Sequence, residues 1–258
     1  MAKSRFNGCT TSEEEFEMKR SVNIFDKLAS IGCQFSDVQL VNADIEETLA
    51  EAVETLPYSN DKGRILKVLC SWTIENGNQV ILEKLSKILT KKEADGADVT
   101  YAALLGAFAV SQKLHKWAIL KKFRPKVNVA IGDKKGNPEM EEWALDVNFS
   151  VNRGGIQTDE KYTLSRSQIA GMHKQYRNRL IYGAQYRADI VTATQLGITT
   201  IKDVVNLLGV SREPVSRILA DLRDAGFLKE SKPAKASGGY LEISAAHGSQ
   251  PKNQKSLR

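Results

Sequence analysis

The residues whose types and spacing most clearly indicate a chemical role lie between positions 200 and 228. Most of them stand at the start of the second of two predicted helices. The outward residues there are Ser211, Arg212, Glu213, Ser216, Arg217 and Arg223. An arginine can donate two hydrogen bonds to guanine O6 and N7, and a glutamate can accept one from cytosine N4. These residue types at this spacing therefore favour contact with the edges of base pairs.

Two short helices joined by a tight turn are predicted to hold these side chains outward. The inward apolar stripes are Ile201, Val204, Val205 and Leu208 in the first helix and Val215, Ile218, Leu219 and Leu222 in the second. Gly209 can end the first helix in a left-handed conformation, Ser211 is a good N-cap, and Pro214 lies in a first turn that tolerates it. The pattern predicts a helix-turn-helix, with an ordinary helical hairpin bearing a charged face as the alternative.

The segment from Gly209 to Leu228 resembles the winged helix-turn-helix of Crp/Fnr-type regulators and is also similar to MarR-like winged helices. The resemblance implies that Arg212, Glu213 and Arg217 read bases, while Ser211 and Ser216 hold phosphate. It covers about 55 of the 258 residues. Crp/Fnr-type regulators carry a glycine-rich, nucleotide-binding β-roll ahead of this module. Residues 12–123 show helical periodicity and no such pocket motif, so the resemblance extends to the DNA contact and not to the nucleotide effector.

The same resemblance implies a wing after the second helix. A strand at 227–229, a wing tip at 232–239 and a returning strand at 240–243 would follow, with Lys229, Lys232 and Lys235 against the DNA backbone. Residues 189–196 would form the first helix of the module.

Positive charge is unevenly distributed along the chain. Residues 161–258 hold 16 Lys+Arg and 7 Asp+Glu, a balance of +9, which leaves −3 for residues 1–160 in a chain of net charge +6. Such a split indicates that one part meets a polyanion.

Segments 113–126 and 161–188 are rich in cations and free of acids, and the second also carries tyrosines. Helix capping in the first and packing of the tyrosines in the second are the alternatives to a second basic patch. Its candidate residues are Lys113, Lys116, Lys121, Lys122, Arg124, Arg177 and Arg179.

The periodicity of apolar residues predicts an α+β fold that is mainly α. A helical domain is expected over 12–125, and its last helix, at 99–123, should be buried and continuous. Alternating residues predict a small antiparallel meander over 126–164. A winged helix-turn-helix domain at 165–244 and a disordered basic tail at 245–258 complete the predicted organisation.

Several functional classes find no support in the sequence. It has no apolar run of about 18 residues for a membrane span and no secretory signal. Its three cysteines form no paired motif, its three histidines are scattered, and phosphate-loop or nucleophile-elbow motifs are absent. We therefore expect a cytoplasmic protein with no metal and no cofactor, and not an enzyme. The weighed alternative is a Mg²⁺-dependent nuclease using Asp146 with Glu141 or Glu142.

These patterns predict a sequence-specific, double-stranded DNA-binding transcriptional regulator, a repressor, acting as a homodimer on a near-palindromic site. The N-terminal helical domain could bind a protein partner. A plasmid or phage replication initiator and an antitoxin-type DNA-binding protein remain the alternatives.

Overall fold

The computed structural model describes residues 23–132, 139–198, 200–230 and 241–243. This part of the chain is mainly helical, so the predicted α+β class with an antiparallel meander and a winged unit is wrong. Its α-helices are α1 Ile24–Ser30, α2 Ile45–Thr55, α3 Lys62–Asn76, α4 Leu82–Ala94, α5 Tyr101–Ser111, α6 Glu142–Leu145, α7 Arg166–Met172, α8 Lys174–Tyr182, α9 Tyr186–Gln195, α10 Ile201–Leu208 and α11 Arg212–Asp224. Its strands are β1 Val129–Ile131, β2 Phe149–Val151, β3 Leu228–Glu230 and β4 Leu241–Ile243.

A single large hydrophobic cluster joins the first eight helices and the β1–β2 pair. Asp44 caps α2 by accepting a hydrogen bond from the Glu47 N–H at 3.1 Å, and Asn23 forms a capping box with Asp26 at α1. Trp72 of α3 is fully buried, and its Nε1–H donates to the Ile31 carbonyl at 2.8 Å. These helices form the body of the molecule. None of the helices in the described residues is long and apolar enough to cross a membrane.

The predicted continuous helix over 99–123 is wrong in its second half. Helix α5 ends at Ser111, Lys113 adopts a left-handed conformation with φ 68°, and the chain folds back as a 3₁₀ helix, His115–Phe123. The returning segment buries Trp117, Leu120 and Phe123 against α5. The run of apolar residues was correctly assigned to the core, but periodicity alone did not reveal the reversal at Lys113.

Gly106 allows α5 and the 3₁₀ helix to approach closely. A Cβ at this position would lie 2.9 Å from Leu120 Cβ and 2.9 Å from the Trp117 carbonyl oxygen. We expect Gly106→Ala to lower the free energy of unfolding by about 1–3 kcal/mol in urea denaturation, because overpacking outweighs the roughly 1 kcal/mol gain in helix propensity. Gly63→Ala, in α3 with open space around the new Cβ, is the control and should be neutral or stabilising. Equal effects of the two substitutions would contradict the close approach.

The predicted meander at 126–164 is not present in the described residues. Strands β1 and β2 pair in parallel, with Val129 opposite Phe149, and α6 begins where the alternation from Trp143 to Val151 predicts a strand. The alternation fails because the α6 turn buries Ala144 and leaves Leu145 exposed. Asn148, at φ 61°, then redirects the chain into β2. Residues 160–162, near the end of the predicted meander, form a 3₁₀ helix.

A second hydrophobic cluster begins in α9 and extends through α10 and α11 to Leu228. Beyond it, β3 and β4 pair antiparallel over three residues each. The expected wing tip at 232–239 lies outside the described residues, which contain no wing. The predicted basic tail also lies outside them.

Candidate nucleic-acid interface

Helices α9, α10 and α11 pack around one small core, which we call the three-helix unit. Its fully buried members are Ile190 of α9, Val204 of α10, and Val215 and Leu219 of α11. Thr200 caps α10 by accepting from the Asp203 N–H at 3.1 Å. The predicted end of α10 at Gly209, the start of α11 after Ser211 and the inward apolar stripes of both helices are confirmed.

The turn between α10 and α11 is tight and depends on one glycine. Gly209 has φ 61° and ψ 27°, the left-handed conformation predicted for the end of α10. Ser211 occupies the N-cap position of α11, but its side chain forms no capping hydrogen bond. Ser211 is therefore the N-cap in backbone position only, and its exposed hydroxyl is available to another acceptor or donor.

The predicted DNA-contacting residues of α11 are all on its exposed surface. Successive helical turns align Arg212 with Ser216 and Glu213 with Arg217, opposite the stripe that enters the core. Within residues 23–132, 139–198 and 200–230, neither Arg212 nor Arg217 forms an ion pair. Arg223 is also exposed, near the end of the helix. The structure thus presents two arginine side chains that no acid of the described part neutralises.

Another arginine of the three-helix unit is engaged in holding helices together. Arg187 of α9 forms an ion pair with Asp221 of α11 at 2.6 Å, with both side chains partly exposed. Such a pair contributes at most about 1 kcal/mol. It nevertheless fixes the Arg187 guanidinium against α11 on the side where Arg217 also lies.

The side chains of Lys229, Lys232 and Lys235, which the resemblance assigns to the DNA backbone, lie outside the described part of the structure. Their contacts remain a prediction.

The second basic patch does not form one surface. Lys113, Lys116, Lys122 and Arg124 are exposed on the 3₁₀ helix and its flanks, while Lys121 is half-buried with its ammonium 3.9 Å from Asp146. Lys122 lies over the Phe123 ring, 4.8 Å from its centroid. Arg177 is exposed on α8.

Assigning Arg179 to the second basic patch was wrong, because this residue is buried, with 1% of its surface exposed. Its guanidinium donates five hydrogen bonds, one for each N–H. Two go to Glu46 at 2.6 and 2.8 Å, two to Asp189 at 2.9 and 2.8 Å, and one to the Gln79 carbonyl at 2.7 Å. No donor of Arg179 is left for a nucleic acid.

Lys84 completes this buried ion network. Its ammonium lies 2.5 Å from Asp44, 3.2 Å from Glu46 and 3.6 Å from Asp189. Burial alone would raise the pKa of Asp44, but the charge and hydrogen bond of Lys84, together with the Glu47 N–H and Arg179, lower that pKa below its usual range. Burial opposes the charge on Lys84, yet the carboxylates of Glu46 and Asp44 raise its pKa.

The network joins the body to the three-helix unit and leaves little room for a metal ion. Asp44, Glu46 and Asp189 bring carboxylate oxygens within 4.8 Å of one another, a spacing that could suit a cation. Lys84 and Arg179 already provide two positive charges for these three acids. We therefore interpret the cluster as an ion network that fixes α9 to α2, α4 and α8.

His173 lies beside this network and gives the protein a predicted pH dependence. Its Nε2 lies 2.8 Å from the Ala43 carbonyl, and its Nδ1 accepts from the Tyr176 N–H at 3.1 Å, a combination that requires a neutral ring. Burial lowers the pKa of His173, and Arg179 acts in the same direction. The unfolded chain binds a proton below its ordinary pKa of about 6.5, while the folded chain resists it.

Stability should therefore fall as pH drops below about 6.5, by up to about 1.4 kcal/mol per pH unit until the folded protein also takes up the proton. Urea denaturation at a series of pH values from about 7.5 to about 5 measures the slope of the free energy of unfolding against pH. His173→Gln should flatten it, and His115→Gln, at an exposed position, serves as the control. An unchanged slope in His173→Gln would contradict the assignment.

Two adjoining cavities connect α11 with the reversal at Lys113. The smaller, of about 380 Å³, is lined by Arg217 and Pro214 of α11 and by Arg187. The larger, of about 770 Å³, is lined by Lys113 and Lys116 among others. Both are lined by Ile81, Glu83, Ala184 and Gln185. We call the joined cavities the basic cleft. Its position was not predicted, because the sequence gives no signal that 183–187 would lie between segment 113–119 and α11.

The residues weighed for a nuclease do not converge. Asp146 is exposed, and its nearest recorded cation is Lys121. Glu141 instead accepts hydrogen bonds from Trp143 Nε1 and the Gly154 N–H. Asp146, Glu141 and Glu142 form no carboxylate cluster within the described residues.

Comparison of the chain with protein-family models, curated proteins and solved structures finds no match.

Proposed function

We propose that this protein is a sequence-specific, double-stranded DNA-binding transcriptional regulator, a repressor, that places α11 in the major groove. The observation that supports this most directly is the pair of exposed arginines, Arg212 and Arg217, without acidic partners in the described residues. They project from a helix whose other face is anchored in a hydrophobic core. The buried face fixes where each side chain leaves the helix, and an unpaired guanidinium can bind a base edge without first giving up an ion pair.

The geometry of the three-helix unit suits this role. A helix with side chains is about 10–12 Å in diameter, and the major groove is about 12 Å wide. Arg212, Glu213, Ser216 and Arg217 occupy the first two turns of α11, the part that meets bases in helix-turn-helix proteins. The tight turn at Gly209 keeps α10 close enough to cross the DNA backbone.

The remaining parts of the proposal follow from the same interface. We infer a homodimer, because a helix of this size reads only a short half-site, and two copies would read half-sites about 10 bp apart. The protein would act in the cytoplasm and repress by occupying its site. A replication initiator or an antitoxin-type protein would use the same helix, but its bound sites would lie in origin repeats or in the promoter of a toxin–antitoxin pair.

Selection of bound fragments from a pool of random duplexes tests the function directly. The wild-type protein should enrich a two-fold related motif containing guanine at fixed positions. Arg212→Lys is the matched control, because it keeps the positive charge and loses the two-pronged hydrogen bonds of the guanidinium. It should retain affinity for random DNA while enriching a less defined motif. Recovery of no motif by the wild-type protein would contradict sequence-specific binding.

A further inference from the structure

The three-helix unit has no net charge of its own. Residues 186–228 contain five Lys+Arg and five Asp+Glu. In α11 itself three arginines are matched by Glu213, Asp221 and Asp224. Binding to DNA nevertheless depends on neutralising phosphates, and this term supplies most of the sequence-independent affinity. The described part of the unit can recognise bases, but it provides little attraction for the backbone.

The body supplies a cationic segment close to the recognition helix. Residues 113–126 contain six Lys+Arg and no acid. Lys113 and Lys116 are exposed, line the basic cleft, and form no ion pair within the described residues. Lys113 is exposed where the chain reverses, and its backbone there is left-handed, at φ 68°. Such a conformation is uncommon for a residue with a side chain, and it marks the tight reversal that brings this segment to the cleft.

The basic cleft links this segment to α11. Arg217, at one end, is one of the proposed base-reading residues, and Lys113 and Lys116 lie at the other end. Gln185 and Glu83 belong to both cavities, and Glu83 is exposed between the two groups of cations. The DNA backbone next to the bases that Arg217 reads would lie along this concave surface. Positive charge would meet it at the far end of the cleft.

We infer that DNA bound at α11 continues across the basic cleft, so that backbone phosphates flanking the recognised bases contact Lys113 and Lys116. This inference rests on the proposed function and extends it to a second, sequence-independent contact on the body. The bound site is then longer on the Arg217 side than the three-helix unit alone would cover. Glu83 is the one acid that the described cleft places against this path, and it weakens the contact.

The test compares a duplex of about 10 bp, one helical turn centred on the recognised half-site, with one of about 30 bp, using fluorescence anisotropy over a range of salt concentrations. On the long duplex, Lys113→Gln/Lys116→Gln should lose about tenfold in affinity and lower the slope of log affinity against log salt by about two, because two phosphate contacts disappear. On the short duplex its affinity should match the wild type. Lys87→Gln/Lys91→Gln, at two exposed lysines of α4 outside the cleft lining, is the charge-matched control.

Glu83→Gln should change the affinity for DNA in the opposite direction. Removal of this carboxylate should raise affinity for the long duplex by about two- to threefold and leave the short duplex unaffected, since one repulsive charge in solvent acts only at short range. A gain of function cannot be mistaken for loss of folding.

The outcomes separate this inference from the proposed function. If Arg212→Ala weakens binding but the lysine variant binds both duplexes like the wild type, the cleft contact is wrong and α11 still reads DNA. Equal losses on both duplexes would also overturn it, because the lysines would then act on the half-site itself. If Arg212→Ala leaves the affinity for both duplexes unchanged, the proposed function is wrong, and the inference that rests on it is wrong as well.

Discussion

Arg179→Ala is expected to lower the free energy of unfolding by about 3–5 kcal/mol. The substitution removes five hydrogen bonds from a fully buried guanidinium and leaves the Glu46 and Asp189 carboxylates without their main partner. Among the described residues, Lys84 would then be the one cation near both carboxylates, at 3.2 and 3.6 Å. Breaking a buried pair by removing one partner costs more than the pair contributes, because the remaining charge keeps its desolvation penalty.

Urea denaturation followed by circular dichroism measures this loss. Arg177→Ala, at an exposed position two residues earlier on α8, is the matched control and should change stability by less than about 0.5 kcal/mol. Arg179→Lys keeps the charge without the two-pronged geometry and should fall between the two. A loss below about 1 kcal/mol in Arg179→Ala would show that Lys84 alone balances the acids, against our account of the network.

The double variant Arg212→Ala/Arg217→Ala is expected to lose its preference for the selected site over random DNA by about 2–6 kcal/mol, since each base-reading arginine supplies about 1–3 kcal/mol of discrimination. Both side chains are exposed and outside the core, so the variant should fold like the wild type. Anisotropy titrations with the selected duplex and a scrambled duplex measure the preference.

A charge-matched comparison makes this result specific. Lys87→Ala/Lys91→Ala removes two positive charges from exposed positions of α4, and its preference for the selected duplex should match the wild type. If the α11 and α4 variants lost affinity equally for selected and scrambled duplexes, the arginines would be acting as charges and not as base readers.

The segment from α10 to α11 was predictable because its signals are local. Gly209 ends one helix, Pro214 lies in the first turn of the next, and the apolar stripes agree with both ends. The 126–164 segment was not predictable in the same way. Alternation around Trp143 and Leu145 fits a strand as well as a short helical turn. The parallel pairing of β1 with β2 is a tertiary contact that neither strand specifies alone, and Phe149 of β2 also packs against Tyr101 of α5, with ring centroids 5.3 Å apart.

The buried ion network shows the limit of sequence analysis most clearly. The basic and aromatic residues around Arg179 in the sequence predict a basic surface there. Its acidic partners, Glu46 and Asp189, lie on α2 and α9, and no spacing in the sequence relates them. The one available signal was Asp189 itself, an acid within the apolar run from Ala188 to Val191. An acid in such a run requires a buried partner, but the run does not identify which cation provides it.

Methylation protection of the selected duplex tests the placement of α11 most directly. Guanine N7 faces the major groove and adenine N3 faces the minor groove, so one reagent that methylates both reports which side of the duplex is covered. We predict protection of guanine N7 at the positions that selection fixes, lost in Arg212→Ala/Arg217→Ala. Protection confined to adenine N3, or N7 protection that survives in the double variant, would contradict recognition of the major groove by α11.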